Sequence, residues 1–307
     1  MSNIENQAFI ENVVNKEDIN YEFDYFPHTI NNQNVNNEDY YAFSDENIVC
    51  DKDVIDYFVK EIVPLKDKFN GYNFAVTGPI ASGKSTILES LNILFNMAKF
   101  RINVVPEYIG IDKELGGKLL VRRITNNISN TTFQNYVMDQ YKNKLEANAK
   151  RPCDICLFER LPDDSILCFS NISNFDNIDL TNFDLFVLDK RMKSINEKYG
   201  IPTYRNESVE FEIFSTAELK PLLLTVIGLI KHDIERGVKN RIIGLDISTN
   251  LTLTRLKRRA RPGEDKYDVE YLNRIVRFYK KLYKTMLSNR TLLNKFTCIG
   301  TLLIDNN

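Results

Sequence analysis

The sequence predicts an α/β fold, a five-stranded parallel sheet flanked by helices and completed by an arginine-rich lid. Three observations point to it. Short apolar runs alternate with longer stretches of helical periodicity from about residue 71 onward. A glycine-rich loop joins the first of those runs to the first of the helices. Five of the seven residues from 255 to 261 are basic, and Pro262-Gly263 then breaks the helix that carries them. Strands that alternate with helices pair in parallel with both faces covered, and a ligand then sits at the carboxyl ends of the strands.

The first segment of the 307-residue chain stands apart in composition. Residues 1–60 hold 13 Asp and Glu against 3 Lys, a net charge of −10, so the overall −2 leaves +8 on the remaining 247. Eleven of the first 50 residues are Asn. Residues 1–69 are therefore expected to be an acidic, Asn-rich, partly disordered extension, although its aromatic residues, such as Tyr25, Phe26 and Tyr40, leave room for part of it to dock. The main domain is expected over 70–307, where anions would bind.

Within that domain the runs 73–78, 101–107, 153–159, 241–247 and 296–304 read as buried strands. Helices are expected near 84–98, 131–149, 216–236 and 268–288. The last has apolar residues at Val269, Leu272, Ile275, Val276, Tyr279 and Leu282, spaced three and four apart. No apolar run approaches the roughly 20 residues that span a bilayer, and the first residues lack the basic end and apolar stretch of a secretion signal. A cytoplasmic location without membrane contact is the expectation. Five cysteines scattered over the chain argue against a disulfide framework. Cys153-x-x-Cys156 lies in an apolar strand-like run with no second cysteine pair nearby, so core packing is expected of it rather than metal binding.

The loop reads Gly78-Pro-Ile-Ala81-Ser82-Gly83-Lys84-Ser85-Thr86 and satisfies G-x-x-x-x-G-K-[ST] between a strand and a helix. Glycines let successive backbone N–H groups turn toward phosphate oxygens, and the helix that follows presents its positive end. Lys84 is expected to pair with the β- and γ-phosphates of ATP, and Ser85 to ligate Mg²⁺. The motif alone leaves kinases, GTPases, ATPases and helicases open. No N-K-x-D follows the loop, as guanine recognition would require, and the third strand ends in Glu159-Arg160 rather than in an aspartate.

The ends of the other strands narrow the chemistry. Glu107 closes the second strand, where a carboxylate can take the proton of an attacking hydroxyl. Arg160 could orient Glu107 and hold phosphate oxygens, while Glu159 could bind a water on Mg²⁺. Arg255, Arg259 and Arg261 follow the fourth strand, where they can answer the charge that builds on a phosphoryl group in transfer. The break at Pro262-Gly263 suits a flap that closes and excludes water. A solvated helix face or a nucleic-acid patch is the competing reading of residues 255–261, but the rest of the chain lacks the broad basic surface that nucleic acid would need.

Taken in order, GPIASGKST, PE, FQ-x-Y, ER and R-x-x-x-R-x-R-x-x-E resemble the deoxynucleoside kinases over roughly residues 72–290. Two segments are most similar to the herpesviral thymidine kinase branch: Glu159-Arg160-Leu-Pro162 with Leu167-Cys168-Phe169, and RLKRRARPGE at 255–264. The resemblance implies ATP-dependent phosphorylation of a deoxynucleoside 5′-hydroxyl, with thymidine leading, in nucleotide salvage for DNA synthesis. It implies Glu107 as the base, Gln134 binding the nucleobase through its amide, Phe169 against the base, and Glu264 on the sugar 3′-hydroxyl. A homodimer, and a viral origin with a host-cytoplasmic location, belong to the same expectation.

The departures bear on selectivity. Only 27 positions separate Glu107 from Gln134, and no tyrosine lies between Tyr108 and Tyr136 to share the sugar hydroxyl. Asp112 stands where the family carries a tryptophan, and Ser173 where the herpesviral branch has an arginine. Residues 175–215 read as an insertion without an assigned role. Two alternatives stand beside the leading one. A thymidylate kinase would place an arginine just before the strand-two glutamate, where Pro106 stands. An inactive nucleotide-binding protein would have no need of both a base and a lid.

Overall fold

Five runs rich in β-branched and aromatic residues form the strands β1 (Tyr72–Thr77), β2 (Ile102–Val105), β3 (Ile155–Glu159), β4 (Glu210–Ser215) and β5 (Asn240–Asp246). They make one sheet in the order β2-β3-β1-β5-β4, with every pairing parallel. The computed structural model describes residues 51–107, 113–125, 127–149, 151–169, 182–216, 218–259 and 267–294. β1 lies at the centre, Ala75 facing Phe158 of β3 on one side and Ile242 of β5 on the other. The chain leaves β1 toward β2 at one edge and later fills β5 and β4 on the opposite side. The crevice where these directions part opens at the carboxyl ends of the strands, beside the loop that follows Thr77.

The helices are α1 (Lys52–Glu61), α2 (Lys84–Met97), α3 (Lys113–Ile124), α4 (Asn130–Asn148), α5 (Asn182–Tyr199), α6 (Leu219–Arg236), α7 (Thr249–Arg259) and α8 (Val269–Ser288). Because side chains alternate along a strand, each strand feeds two cores. Phe74, Val76, Leu157 and Leu245 point to a core closed by α1, α2 and α6. Ala75, Phe158 and Ile242 point to the opposite core, which α4, α5 and α8 cover. Side-chain caps fix several helix starts: Ser129 accepts from Thr132 N at 3.1 Å and Asp268 from Tyr271 N at 2.6 Å.

Two features differ from the sequence expectation. β4 lies inside 175–215, the stretch read as an insertion. Its sequence EFEIFS buries Phe211 and turns Glu210 and Glu212 outward, as an edge strand should. The run 296–304, expected to be a strand, lies outside the described residues. Within the stretch assigned to the acidic extension, α1 is part of the packed body. Val54 and Phe58 are fully buried, Phe58 meets Phe95 edge to face at 5.0 Å, and Lys220 and Lys231 of α6 pair with Asp51 and Glu61. Burial of a side chain the size of Phe58 stabilises by about 1.5–3 kcal/mol, enough to hold a ten-residue helix that would be marginal alone. No described helix is long and apolar enough to cross a membrane.

Candidate active site

The loop after β1 is shaped by steric limits on its backbone. Gly78 has φ 150°, and a Cβ there would come within 2.8 Å of Leu245 O and 2.9 Å of Ser82 Oγ, so no other residue fits. Gly83, at φ 96°, turns the chain into α2, and Ala81 also adopts a positive φ of 57°. Lys84, the first residue of α2, is buried. Its ammonium donates to Pro79 O at 2.6 Å and Ser82 Oγ at 3.3 Å, which places the charge over the loop. Thr86 faces outward.

Ser85 Oγ donates to Glu159 Oε1 at 2.6 Å, joining the start of α2 to the end of β3. Glu89 lies one turn further along α2. Burial raises its carboxyl above the ordinary value, and the charge of Glu159 raises it further. Ser85 Oγ and the Glu159 carboxylate are hard oxygen donors side by side, which fits a hard cation such as Mg²⁺.

Arg160 follows at φ 62°, an uncommon backbone state for a residue with a side chain. Its N–H donates to Val76 O at 2.9 Å. Its guanidinium donates to Gly78 O from Nε at 3.4 Å and from Nη2 at 3.3 Å, and Nη1 forms an ion pair with Glu107. The same guanidinium lies 4.9 Å from the centre of the Phe169 ring, which in turn meets Tyr279 edge to face at 6.1 Å. A left-handed turn at the end of β3 thus puts one buried cation against the loop, the Glu107 carboxylate and an aromatic face.

Two acids beneath this turn hold it, and sequence reasoning missed both. Asp164 accepts from Leu161 N at 2.8 Å, from Thr77 Oγ1 at 2.9 Å and from Tyr204 OH at 2.8 Å. It thereby ties the segment after Arg160 to the residue just before Gly78. Asp163 accepts from Asn196 Nδ2 and Thr203 Oγ1. Burial raises both carboxyls, and the hydrogen bonds they receive work against that rise. The signal was present in the sequence: two adjacent acids inside an apolar run, LPDDSILCF, must find partners.

Arg255 reaches the loop from α7. Nη1 donates to Ala81 O at 3.3 Å and to Thr216 Oγ1 at 3.2 Å, while Nη2 donates to Thr216 O. Burial lowers its pKa from the ordinary arginine value. Arg259 ends α7, whereas Arg261 and Glu264 lie outside the described residues, as does most of the expected lid at 255–266.

Gln134 sits on α4, 3% exposed, and its Nε2 donates to Asn130 Oδ1 at 3.3 Å. Asn130 Oδ1 also accepts from Arg123 Nε at 3.3 Å. Tyr271, whose hydroxyl is pushed up to about 12 by burial, feels the charges of both Arg123 and Arg160. Asn130, Arg123 and Tyr271 carried no motif in the sequence. The cysteine pair behaves as core: Cys156 is buried, and burial raises its thiol pKa.

The expected residues thus form three groups around one loop: Ser85 with Glu159, Glu107 with Arg160 and Phe169, and Arg255 with Ala81. Gln134 stands apart from these contacts, on α4. No family model matches the sequence, and no curated protein does. Among solved structures the chain is similar to deoxyadenosine kinase from M. mycoides in three forms. With bound dATP, the TM-score is 0.40 at 16% identity over 74% of this chain and 88% of that chain. With bound dCTP it is 0.39 at 17% identity, covering 71% and 86%. With the products dCMP and a flexible dCDP it is 0.38 at 19% identity, covering 71% and 86%.

Proposed function

We propose that this chain transfers the γ-phosphate of ATP to the 5′-hydroxyl of a deoxynucleoside, with thymidine the leading substrate. The observation that carries the reading is the ion pair of Arg160 with Glu107, set against Gly78 of the loop. A partly open carboxylate at that point can accept the proton of a 5′-hydroxyl as it attacks, and the arginine beside it orients the carboxylate and faces the phosphate. Lys84 and Arg255, both anchored on loop carbonyls, bring two more cations to where the phosphoryl oxygens would lie.

Mg²⁺ would be held by Ser85 and, through water, by Glu159, and when bound it would neutralise charge on the β- and γ-phosphates. Phe169 offers an apolar wall beside Arg160, and the Gln134 amide offers one donor and one acceptor to a base edge. Arg259, Arg261 and Glu264 are proposed to close over the site as its lid. Retention of Glu107, Arg160 and a complete loop favours an active enzyme over an inactive nucleotide binder.

The test is transfer from γ-labelled ATP to each of the four deoxynucleosides and to dTMP. Labelled nucleoside 5′-monophosphate is expected, with thymidine the best acceptor. Label on dTMP alone would replace this reading with a thymidylate kinase, and ATP binding without transfer to any acceptor would refute catalysis.

A further inference from the structure

We propose that Asn130 is a positioning residue that locks the Gln134 amide in one orientation and so decides which class of nucleobase the site accepts. The inference rests on the reading of Gln134 as the base-binding residue. Its physical content is a two-step constraint that the hydrogen bonds impose. Arginine has donors and no acceptor, so the atom of Asn130 that faces Arg123 Nε at 3.3 Å must be its carbonyl oxygen. That same oxygen faces Gln134 at 3.3 Å, so Gln134 must turn its NH₂ group toward it. The amide of an isolated glutamine can flip at little cost, but here a flip would set two carbonyl oxygens against each other. Asn130 is 1% exposed and Gln134 3%, so water does not compensate a misplaced group.

The consequence lies in how bases present their edges. Thymine and guanine place a carbonyl oxygen next to a ring N–H, whereas cytosine and adenine place an amino group next to a ring nitrogen acceptor. An amide free to turn serves both classes in the same pose. An amide held in one orientation serves one class and leaves the other with two donors or two acceptors face to face. With thymidine as the leading substrate, the favoured class is the one with the carbonyl. Arg123 and Asn130 thus act on selectivity without touching the base, through Gln134. Their position, at the corner where α3 turns into α4, is rigid because Ser129 caps α4 there.

The experiment compares kcat/KM for thymidine, deoxyguanosine, deoxycytidine and deoxyadenosine in the full chain and four variants. Asn130→Leu removes the acceptor and is expected to narrow the ratio between carbonyl-bearing and amino-bearing bases on the order of tenfold, through KM more than kcat. Asn130→Asp keeps an acceptor for both neighbours and is expected to retain the wild-type ratio. A folded Asn130→Leu with the wild-type ratio, in a protein where Gln134→Leu abolishes it, overturns the inference. Should Asn130→Leu not fold, Arg123→Leu, at a partly buried side chain, removes the donor that fixes which atom of the Asn130 amide faces α3. It must narrow the same ratio, and an unchanged ratio overturns the inference equally. If Gln134→Leu leaves every nucleoside unaffected, this inference falls while phosphoryl transfer stands. If the wild type phosphorylates no nucleoside, both fall.

Discussion

At the amino end of the sheet, Arg241 closes on Asp233 through Nε and Nη2, and Tyr72 OH adds a third bond at 2.7 Å. At the carboxyl end, Arg160 meets Glu107 through Nη1 alone and rests on Gly78 O through long contacts of 3.3 and 3.4 Å. Both arginines are about 5% exposed. The difference is in what each acid has left to offer. Asp233, on α6, is fully enclosed and accepts from Tyr72 of β1 and Arg241 of β5. The Glu107 side chain keeps 18% of its surface open. The same pair of functional groups is structural where the carboxylate is enclosed and available for chemistry where it stays partly open.

The sharpest break of that contrast comes from Glu107→Gln. It keeps the shape and removes the base, so kcat is expected to fall about 10²–10⁴-fold with the melting temperature nearly unchanged. Asp233→Ala is expected to do the reverse. A buried Arg241 without its partner costs about 3–5 kcal/mol of stability, read from urea unfolding, while activity per folded molecule is retained. Arg255→Met lies between them, because Arg255 holds the loop at Ala81 and is the cation proposed to meet the phosphates. Turnover should drop about 10²-fold and the KM for ATP should rise. The smallest effect concerns Asp154, paired with Arg101 at the amino end. Burial raises its carboxyl, but the side-chain and backbone hydrogen bonds from Arg101 outweigh that and hold it below its ordinary 3.8. A depressed folded value stabilises above pH 3.8 and is lost as pH falls through the folded value. Asp154→Asn should therefore lower neutral stability modestly and flatten the acid limb of the stability profile, mutant and wild type converging as pH falls.

The sequence was most readable where local pattern and chemistry coincide. The strand–loop–helix junction at Gly78–Thr86 appears where expected, with α2 beginning at Lys84, and α8 starts within a residue of its predicted position. Glu107, Arg160 and Arg255 could be placed near the loop because parallel strands deliver their carboxyl ends to one edge. β4 was not legible. Its acidic residues face outward on an edge strand, and EFEIFS offers only Phe211 and the adjacent pair Ile213-Phe214 as apolar signal, a run too short and too irregular to read as a strand. The contacts that aim the site were hidden for a different reason. Thr77, Asp164 and Tyr204 meet across 127 positions of chain, and the left-handed turn at Arg160 depends on that meeting rather than on any local preference. Asn130 and Arg123 were invisible because a hydrogen-bonded corner between two helices leaves no spacing signature.

The most direct measurement pairs two readouts on Glu107→Gln: ATP affinity by titration, and label transfer from ATP to thymidine. An open carboxylate acting as the base predicts ATP affinity within about twofold of wild type and transfer reduced by two orders of magnitude or more. Equal loss of both would make Glu107 a part of the nucleotide-binding structure, and undiminished transfer would remove it from the chemistry altogether.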